Sequence, residues 1–487
     1  MKTLKRMLAA LMALTMVGAL GACGGSDSSK SASSSEAESA YKEKDDVAVD
    51  ASLVDDMVKD DPDIKGQTIY WLADYDINPK NNQDRSVALS LFEDKYGAKV
   101  EYVSCTYDTK FDTLASRILG GDPVDMFPYE WDAVPNGVTK EQYKPLDDYL
   151  DLGDDIWSDM SDVIEMFKYK DKHYVVPYCL SDPLLITYNR SLCEENGLDD
   201  PYELYKKDKW DWDTFMDMMK TFVSNAKDGE TRYGINGWFG QAMVQSTGET
   251  FVKYDGTKFS NNISSPAIEE AEGVMEEIMS LGLYDPTWYG YLPDDGSTLF
   301  FGMADWALGA YNVKADPKPD YEDNGYVEEN DLMIVPFPKQ PGSDEYYLNC
   351  NFGAKMLVKN SDKGAAVAAY IKCERLASMI DEYKDAAKEK AIIPEVNAQG
   401  KLKSYVTEEQ YDALQDYKDP KNITPVFDFG YGMGSRMYGD GEYTYETRGV
   451  MNNLTSALLN GDKDSWAVLR DEWSSVIDEV IDGYNNK

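Results

Sequence analysis

Residues 68–73 read TIYWLA, an uncharged run rich in aromatic and branched residues, and the stretches that follow it set the fold. Such a run predicts a buried strand. Next, SVALSLFEDKYG (86–97) spaces Val87, Leu91, Phe92 and Tyr96 along one helical face before Gly97 ends it. KVEYV (99–103) alternates Val100 and Tyr102 with charged residues, as a half-buried strand does. TKFDTLASRILGG (109–121) returns to helical spacing at Phe111, Leu114, Ile118 and Leu119 and stops in two glycines; VDMF (124–127) reads as a third strand. Strand and helix in alternation are the pattern of a mostly parallel sheet covered by helices, so the expected fold class is α/β.

The later chain is more helical. In WDWDTFMDMMKTFV (210–223), Asp213 is the predicted N-cap and Phe215, Met218, Met219 and Phe222 form an apolar stripe, read as core and not as a cofactor site. SPAIEEAEGVMEEIMSLG (265–282) starts with Ser265 and Pro266 in cap and first-turn positions and closes at Gly282. A final helix (465–484) carries Trp466, Leu469, Trp473, Val476, Ile477 and Val480 on one face. No repeat of fixed period is visible. The length exceeds what one hydrophobic core supports, so two domains are expected.

Composition narrows the function classes. Against 48 Lys and Arg stand 89 Asp and Glu, a net charge of −41. That surface repels nucleic acid and anionic headgroups, so no nucleic-acid partner is expected. Cys105, Cys179, Cys193, Cys350 and Cys373 show no paired spacing, which predicts free buried thiols with no zinc site. The single histidine, His173, beside a predicted strand, is assigned to packing or the surface.

The amino terminus sets the location. Lys2, Lys5 and Arg6 precede the uncharged apolar stretch Met7–Ala19, the pattern of a secretory signal. That stretch falls short of the ~20 apolar residues a transmembrane helix needs. Leu20-Gly21-Ala22-Cys23 then resembles a bacterial lipobox, which implies cleavage after residue 22 and diacylglycerol on the Cys23 sulfur. Residues 23–54, rich in serine and charge, are expected to be a disordered tether. Contact with the membrane would be through the lipid anchor only, on the extracellular face of the bacterial cytoplasmic membrane.

Four later stretches resemble one family. YCLSDPLLITYNRSLCEENGL (178–198), FFGMADWALGAY (300–311), LMIVPFPKQPG (332–342) and NFGAKMLVKNSDKGAAVAAYIKC (351–373) are similar, in that order, to segments of extracellular solute-binding proteins of the maltose-binding group, with coverage from about residue 64 to 487. The resemblance implies a periplasmic-binding-protein-like fold of two lobes joined by a hinge. Lobe 1 would be 64–180 plus 351–400, and lobe 2 would be 185–350 plus 401–487. It further implies a monomer that holds a carbohydrate, an oligosaccharide in this group, between the lobes and delivers it to the permease subunits of an ABC importer. No cofactor, metal or catalysis is implied.

A pyranose presents an apolar C–H face and a rim of hydroxyls, so its site needs flat aromatics beside carboxylates or amides. Open α/β sheets place ligands at the carboxyl ends of their strands. MFPYEWD (126–132) brings Tyr129, Trp131 and Asp132 there, and LADYD (72–76) brings Asp74, Tyr75 and Asp76. By resemblance Tyr129 or Trp131 stacks on the sugar and Asp132 accepts hydroxyl protons. Trp238 in NGWFG and Trp306 in MADWALG stand where family members carry a stacking aromatic; Asp182 in the crossing segment and Arg436 in FGYGMGSRMYGDGEY complete the candidates. A peptide or polyamine binder on the same fold is the alternative, since acids beside tryptophan also suit a cation. A tethered glycoside hydrolase would want carboxylates about 5–10 Å apart, a count of acids that this composition makes uninformative. GYGMG (430–434) lacks the strand-turn-helix frame of a nucleotide site and reads as a loop.

Overall fold

Thr68–Ala73 forms the strand its composition predicts, with Ile69, Trp71, Leu72 and Ala73 buried. This computed structural model describes residues 49–58, 61–79, 85–317, 319, 325–397, 399–439 and 444–487. The signal sequence, Cys23 and the tether as far as residue 48 lie outside the described residues. Val87–Tyr96 is helical, capped by the Ser86 hydroxyl accepting from the Leu89 N–H at 3.2 Å and ended by Gly97 at φ 62°. Lys110–Gly120 follows, but Leu119, assigned to its apolar face, is 89% exposed, because the helix packs through Leu114 alone with help from Phe111 and Ile118. In Trp212–Ser224 the cap is Asp211, whose side chain accepts from Thr214 N–H at 2.9 Å; Asp213 lies within the first turn. The predicted stripe there is buried throughout.

Two main sheets result. The first runs Lys99–Ser104, Thr68–Ala73, Met126–Pro128, Lys355–Val358, Tyr143–Lys144. Its first three strands are parallel, while Lys355–Val358 is antiparallel to both neighbours. The second runs Leu332–Pro336, Leu184–Asn189, Thr298–Ala304, Tyr233–Gly237, with only the last pair parallel. Parallelism is thus partial. The strands that enter each sheet directly from a crossing segment run against those built by strand-helix-strand units.

The crossings pair with each other. Cys179–Ser181, leaving the first sheet's side, and Asn351–Gly353, returning to it, form an antiparallel ribbon in the register Asn351↔Ser181, Phe352↔Leu180, Gly353↔Cys179. Leu184 N–H also donates to Asn349 carbonyl at 2.9 Å. The ribbon therefore lies at the base of the space between the sheets.

The last residues of the expected tether are structured. Ala51–Val54 is a short 3-10 helix with Val54 fully buried, and the Tyr383 hydroxyl donates to the Asp50 carbonyl at 2.8 Å. His173 is 7% exposed, its ring nitrogens 2.9 Å from Asp147 Oδ1 and 3.1 Å from Glu165 Oε1, a packing role. The five described cysteines are free. Among the described residues no helix is long and apolar enough to cross a membrane.

Gly237 ends its strand at φ 99°, and a Cβ there would lie 2.3 Å from the Gly302 carbonyl oxygen of the adjacent strand. Only glycine fits both demands, and the turn it makes sends Trp238 outward. Gly237→Ala should lower unfolding free energy by about 2 kcal/mol or more in urea titration; a change within about 0.5 kcal/mol would contradict this reading.

Candidate functional site

The edge of the first sheet that faces the second is made by strand ends. Asp74 and Tyr75 follow Thr68–Ala73, and Tyr129, Glu130 and Trp131 follow Met126–Pro128. The Trp71 indole N–H donates to the Tyr75 carbonyl at 3.0 Å, and the two rings meet edge to face, which leaves Tyr75 40% exposed. Trp131 is held edge to face between Phe111 and Tyr438, at 5.5 and 5.2 Å between centroids. Lys110, only 2% exposed, places Nζ 2.8 Å from Glu130 Oε1 and 3.8 Å above the Tyr107 ring.

The opposing edge comes from the second sheet. Trp238 leaves Tyr233–Gly237 and Trp306 leaves Thr298–Ala304, both at the ends nearest the ribbon, and they are 56% and 40% exposed. Large aromatic rings left this open beside a cavity are available for contact. Trp306 sits in a short turn pinned by its neighbour: Asp305, with a nearly buried carboxylate, pairs with Lys418 at 2.6 Å. Burial pushes the Asp305 carboxyl above its ordinary range, opposed by Lys418. Asp182 takes φ 44°, in the left-handed region, and Asn351 Nδ2 donates to its Oδ2 at 3.4 Å. Non-glycine residues in that region cluster at functional turns.

A third wall comes from the late segment. Asp428, 3% exposed, accepts from the backbone N–H groups of Phe251, Val252 and Gly430 at 2.7, 3.3 and 2.8 Å. It thereby fastens Phe427 and Tyr431 against the cleft. Gly432 packs so closely on the turn at Ala133–Gly137 that a Cβ would lie 1.8 Å from the Val134 carbonyl oxygen. The glycine-rich run thus packs closely against that turn.

Between these walls is a cavity of about 590 Å³. Asp74, Tyr75, Tyr129, Trp131, Asp182, Trp238 and Trp306 all line it. Three candidates do not. Asp132 is turned into the protein, both oxygens taken by Asn136 Nδ2 at 2.7 and 2.9 Å, because it begins the turn Ala133–Gly137. Burial pushes its carboxyl up, against that hydrogen bond. Asp76 accepts from the Asn78 backbone and side chain at 3.0 and 3.1 Å, closing a local loop outside the cavity. Arg436 is exposed and pairs with Glu479 at 2.9 Å on the outer surface.

The cavity also recruits residues the sequence reading passed over: Glu130 and Lys110, the buried Lys355, and the amides Gln241, Gln245, Asn349 and Asn351. Gln241 and Gln245 are four apart on Gly240–Gln245, a spacing visible in the sequence, and Asn351 lies inside a quoted motif. Lys355, 6% exposed, sits with Nζ 4.8 Å over the Trp71 ring and 3.9 Å from Glu374. Nothing in its sequence context marks it as buried.

Two mixed sheets, a paired two-strand crossing and a cleft walled from both sides define a two-lobed binding protein. The chain belongs to the bacterial extracellular solute-binding protein family, which matches residues 79–373. Solved structures agree on the fold. The sugar-binding protein MalE of Xanthomonas citri superposes with a TM-score of 0.57 at 13% identity, over 86% of this chain and 98% of that one. The cyclic alpha-maltosyl-1,6-maltose binding protein of Arthrobacter globiformis gives 0.57 at 15%, over 86% and 99%. The galacto-N-biose/lacto-N-biose I-binding protein of Bifidobacterium longum gives 0.55 at 12%, over 87% and 99%. No curated protein sequence matches this chain.

Burial pushes the Asp428 carboxyl up to about 7, above its ordinary 3.8, with the three backbone donors opposing. A raised carboxyl contributes stability that is present below its unfolded value and lost as pH rises through the folded one. From this group, stability should fall by up to about 1.4 kcal/mol per pH unit between roughly pH 4 and 7. Urea titrations at pH 4.5, 5.5 and 6.5 should show that slope reduced in Asp428→Asn; parallel curves would contradict it.

Proposed function

We propose that this chain is a lipid-anchored receptor, tethered through Cys23 to the extracellular face of the bacterial cytoplasmic membrane. It captures an oligosaccharide between its lobes and delivers it to the permease of an ABC importer, as a monomer and without catalysis. Lobe 1 comprises about 64–180 and 351–400, joined by the ordered stretch at 49–58; lobe 2 comprises about 185–350 and 401–487.

The observation that carries the reading is the pair of aromatic walls. Tyr75 and Trp131 on one side face the cavity together with Trp238 and Trp306 on the other, with amides and carboxylates between them. Aromatic faces suit the C–H faces of pyranoses, and the interspersed Asn, Gln and Asp groups suit hydroxyls. A ligand that touches both walls shifts the hinge equilibrium toward closure, because only differential contact does so. The similar proteins of Xanthomonas citri, Arthrobacter globiformis and Bifidobacterium longum are named for sugars they bind.

The cleft charges favour a neutral ligand over a polyamine. Lys110 and Lys355 line it beside Asp74, Glu130 and Asp182, and Glu130 is already paired with Lys110. Burial raises the Asp428 carboxyl and so disfavours its charged form. Asp74 and Asp182 stay without a cation partner among the described residues, and the two lysines of the same wall oppose a polycation.

Thermal unfolding of residues 24–487 across mono- and oligosaccharides, peptides and polyamines tests this. A sugar at about 100 times its dissociation constant should stabilise the fold by roughly 2.7 kcal/mol, a rise of a few degrees. Trp306→Ala should weaken that sugar about tenfold or more while leaving the unliganded melting temperature near its original value, since the ring is 40% exposed. Glu130→Gln should also weaken it, by loss of a charged acceptor. A response to peptides or polyamines alone would overturn the ligand class; sugar hydrolysis in the wells would overturn the absence of catalysis.

A further inference from the structure

At the edge of the second sheet opposite the cleft lie the carboxyl end of Leu184–Asn189 and the amino ends of Thr298–Ala304 and Leu332–Pro336. A second cavity of about 340 Å³ is built there, against a small apolar cluster that includes Leu292, Phe301 and Leu332. Its lining is strongly acidic: Glu195, Asp294, Asp295 and Asp331 against the single cation Lys314.

These acids are not equivalent. Asp331 Oδ1 accepts from the Ser191 backbone N–H and hydroxyl at 2.9 and 2.7 Å, and Asp295 Oδ1 from the Ser297 N–H at 2.9 Å, so both are spent on loop structure. The carboxylates of Glu195 and Asp294 carry no hydrogen bond or ion pair among the described residues. In the same wall Tyr311 is 8% exposed, and its buried hydroxyl has no partner among the described residues. An orphaned buried hydroxyl calls for a group to satisfy it. The Lys314 ammonium rests 2.7 Å from the centroid of the Tyr291 ring, so this wall already accommodates an ammonium supplied by the protein. The apolar side chains of Leu292 and Leu332 beside these acids suit an organic cation.

We propose that this distal cavity is a second binding site, independent of the cleft, that takes the ammonium end of a small organic amine. Glu195 and Asp294 supply the counter-charge, Tyr311 an acceptor and Tyr291 an aromatic face that the ligand contests with Lys314. The alkyl stem lies along Leu292, Pro293 and Leu332.

Putrescine titrated into residues 24–487 by calorimetry tests it. The double variant Glu195→Gln, Asp294→Asn should weaken binding about tenfold or more, and raising the salt should weaken the original protein similarly. Lys314→Met, which removes the competing ammonium, should tighten it about threefold or more. Trp306→Ala, in the cleft, should leave it unchanged while weakening any sugar response, which separates failure here from failure of the sugar reading. Putrescine binding lost in Trp306→Ala but kept in the double variant places the amine in the cleft and overturns the proposal. So does the absence of heat with both the original protein and Lys314→Met at millimolar putrescine. Should the double variant lose its cooperative melting transition, Lys314→Met and Trp306→Ala decide between these outcomes.

Discussion

The pairing of two crossing strands governs everything else in this molecule. Cys179–Ser181 and Asn351–Gly353 bond to each other, and so the two sheets are joined by a ribbon whose register sets what faces the cleft. Asp182 and Asn349 are cleft residues because they flank that ribbon, and Asn351 because it begins one of its strands. The strands leaving it run against their neighbours in both sheets, which places Lys355 beside the carboxyl ends of the parallel strands and Leu184 beside the end that yields Trp306. A short ribbon bends more easily than a packed sheet, so the same constraint that positions the walls also permits them to approach.

Around that ribbon the cleft balances charge by burial. Lys110 is enclosed against Glu130 and Tyr107, and Lys355 against Trp71, so each cation is partnered within the protein before any ligand arrives. Asp428 is held by backbone donors, with no cation at hydrogen-bond distance among the described residues, and burial raises its carboxyl. The net −41 of the chain therefore says little about the cleft. At the far edge of the second sheet Glu195 and Asp294 line a separate cavity.

Much of the fold was legible because periodicity reports burial directly. Thr68–Ala73, Val87–Tyr96 and Pro266–Ser280 lie within a residue or two of where their patterns place them. Strand direction was not legible: a parallel and an antiparallel strand share the same two-residue period, and the mixed order of both sheets became visible only with the crossings in place. In the cleft, Trp238 and Trp306 could be read because each follows a strand end. Asp132 does not reach the cavity, because the chain turns at Ala133–Gly137 and carries it inward, while Glu130, two residues before it, lines the wall. Lys110 and Lys355 look like surface lysines in sequence; Lys110 is enclosed by its neighbour Tyr107 together with Glu130, and Lys355 by the Trp71 ring from elsewhere in the chain. Arg436 follows a glycine-rich run, yet the turn directs it to Glu479 and solvent.

The claim on which this account rests is that one ligand touches both walls. A crystal structure of residues 24–487 with the most stabilising sugar tests it most directly. The account predicts pyranose rings between Tyr75 or Trp131 on one side and Trp238 or Trp306 on the other, with the sheets closer together than in the unliganded protein. A sugar seated on one lobe alone, or anywhere outside the cleft, would contradict it.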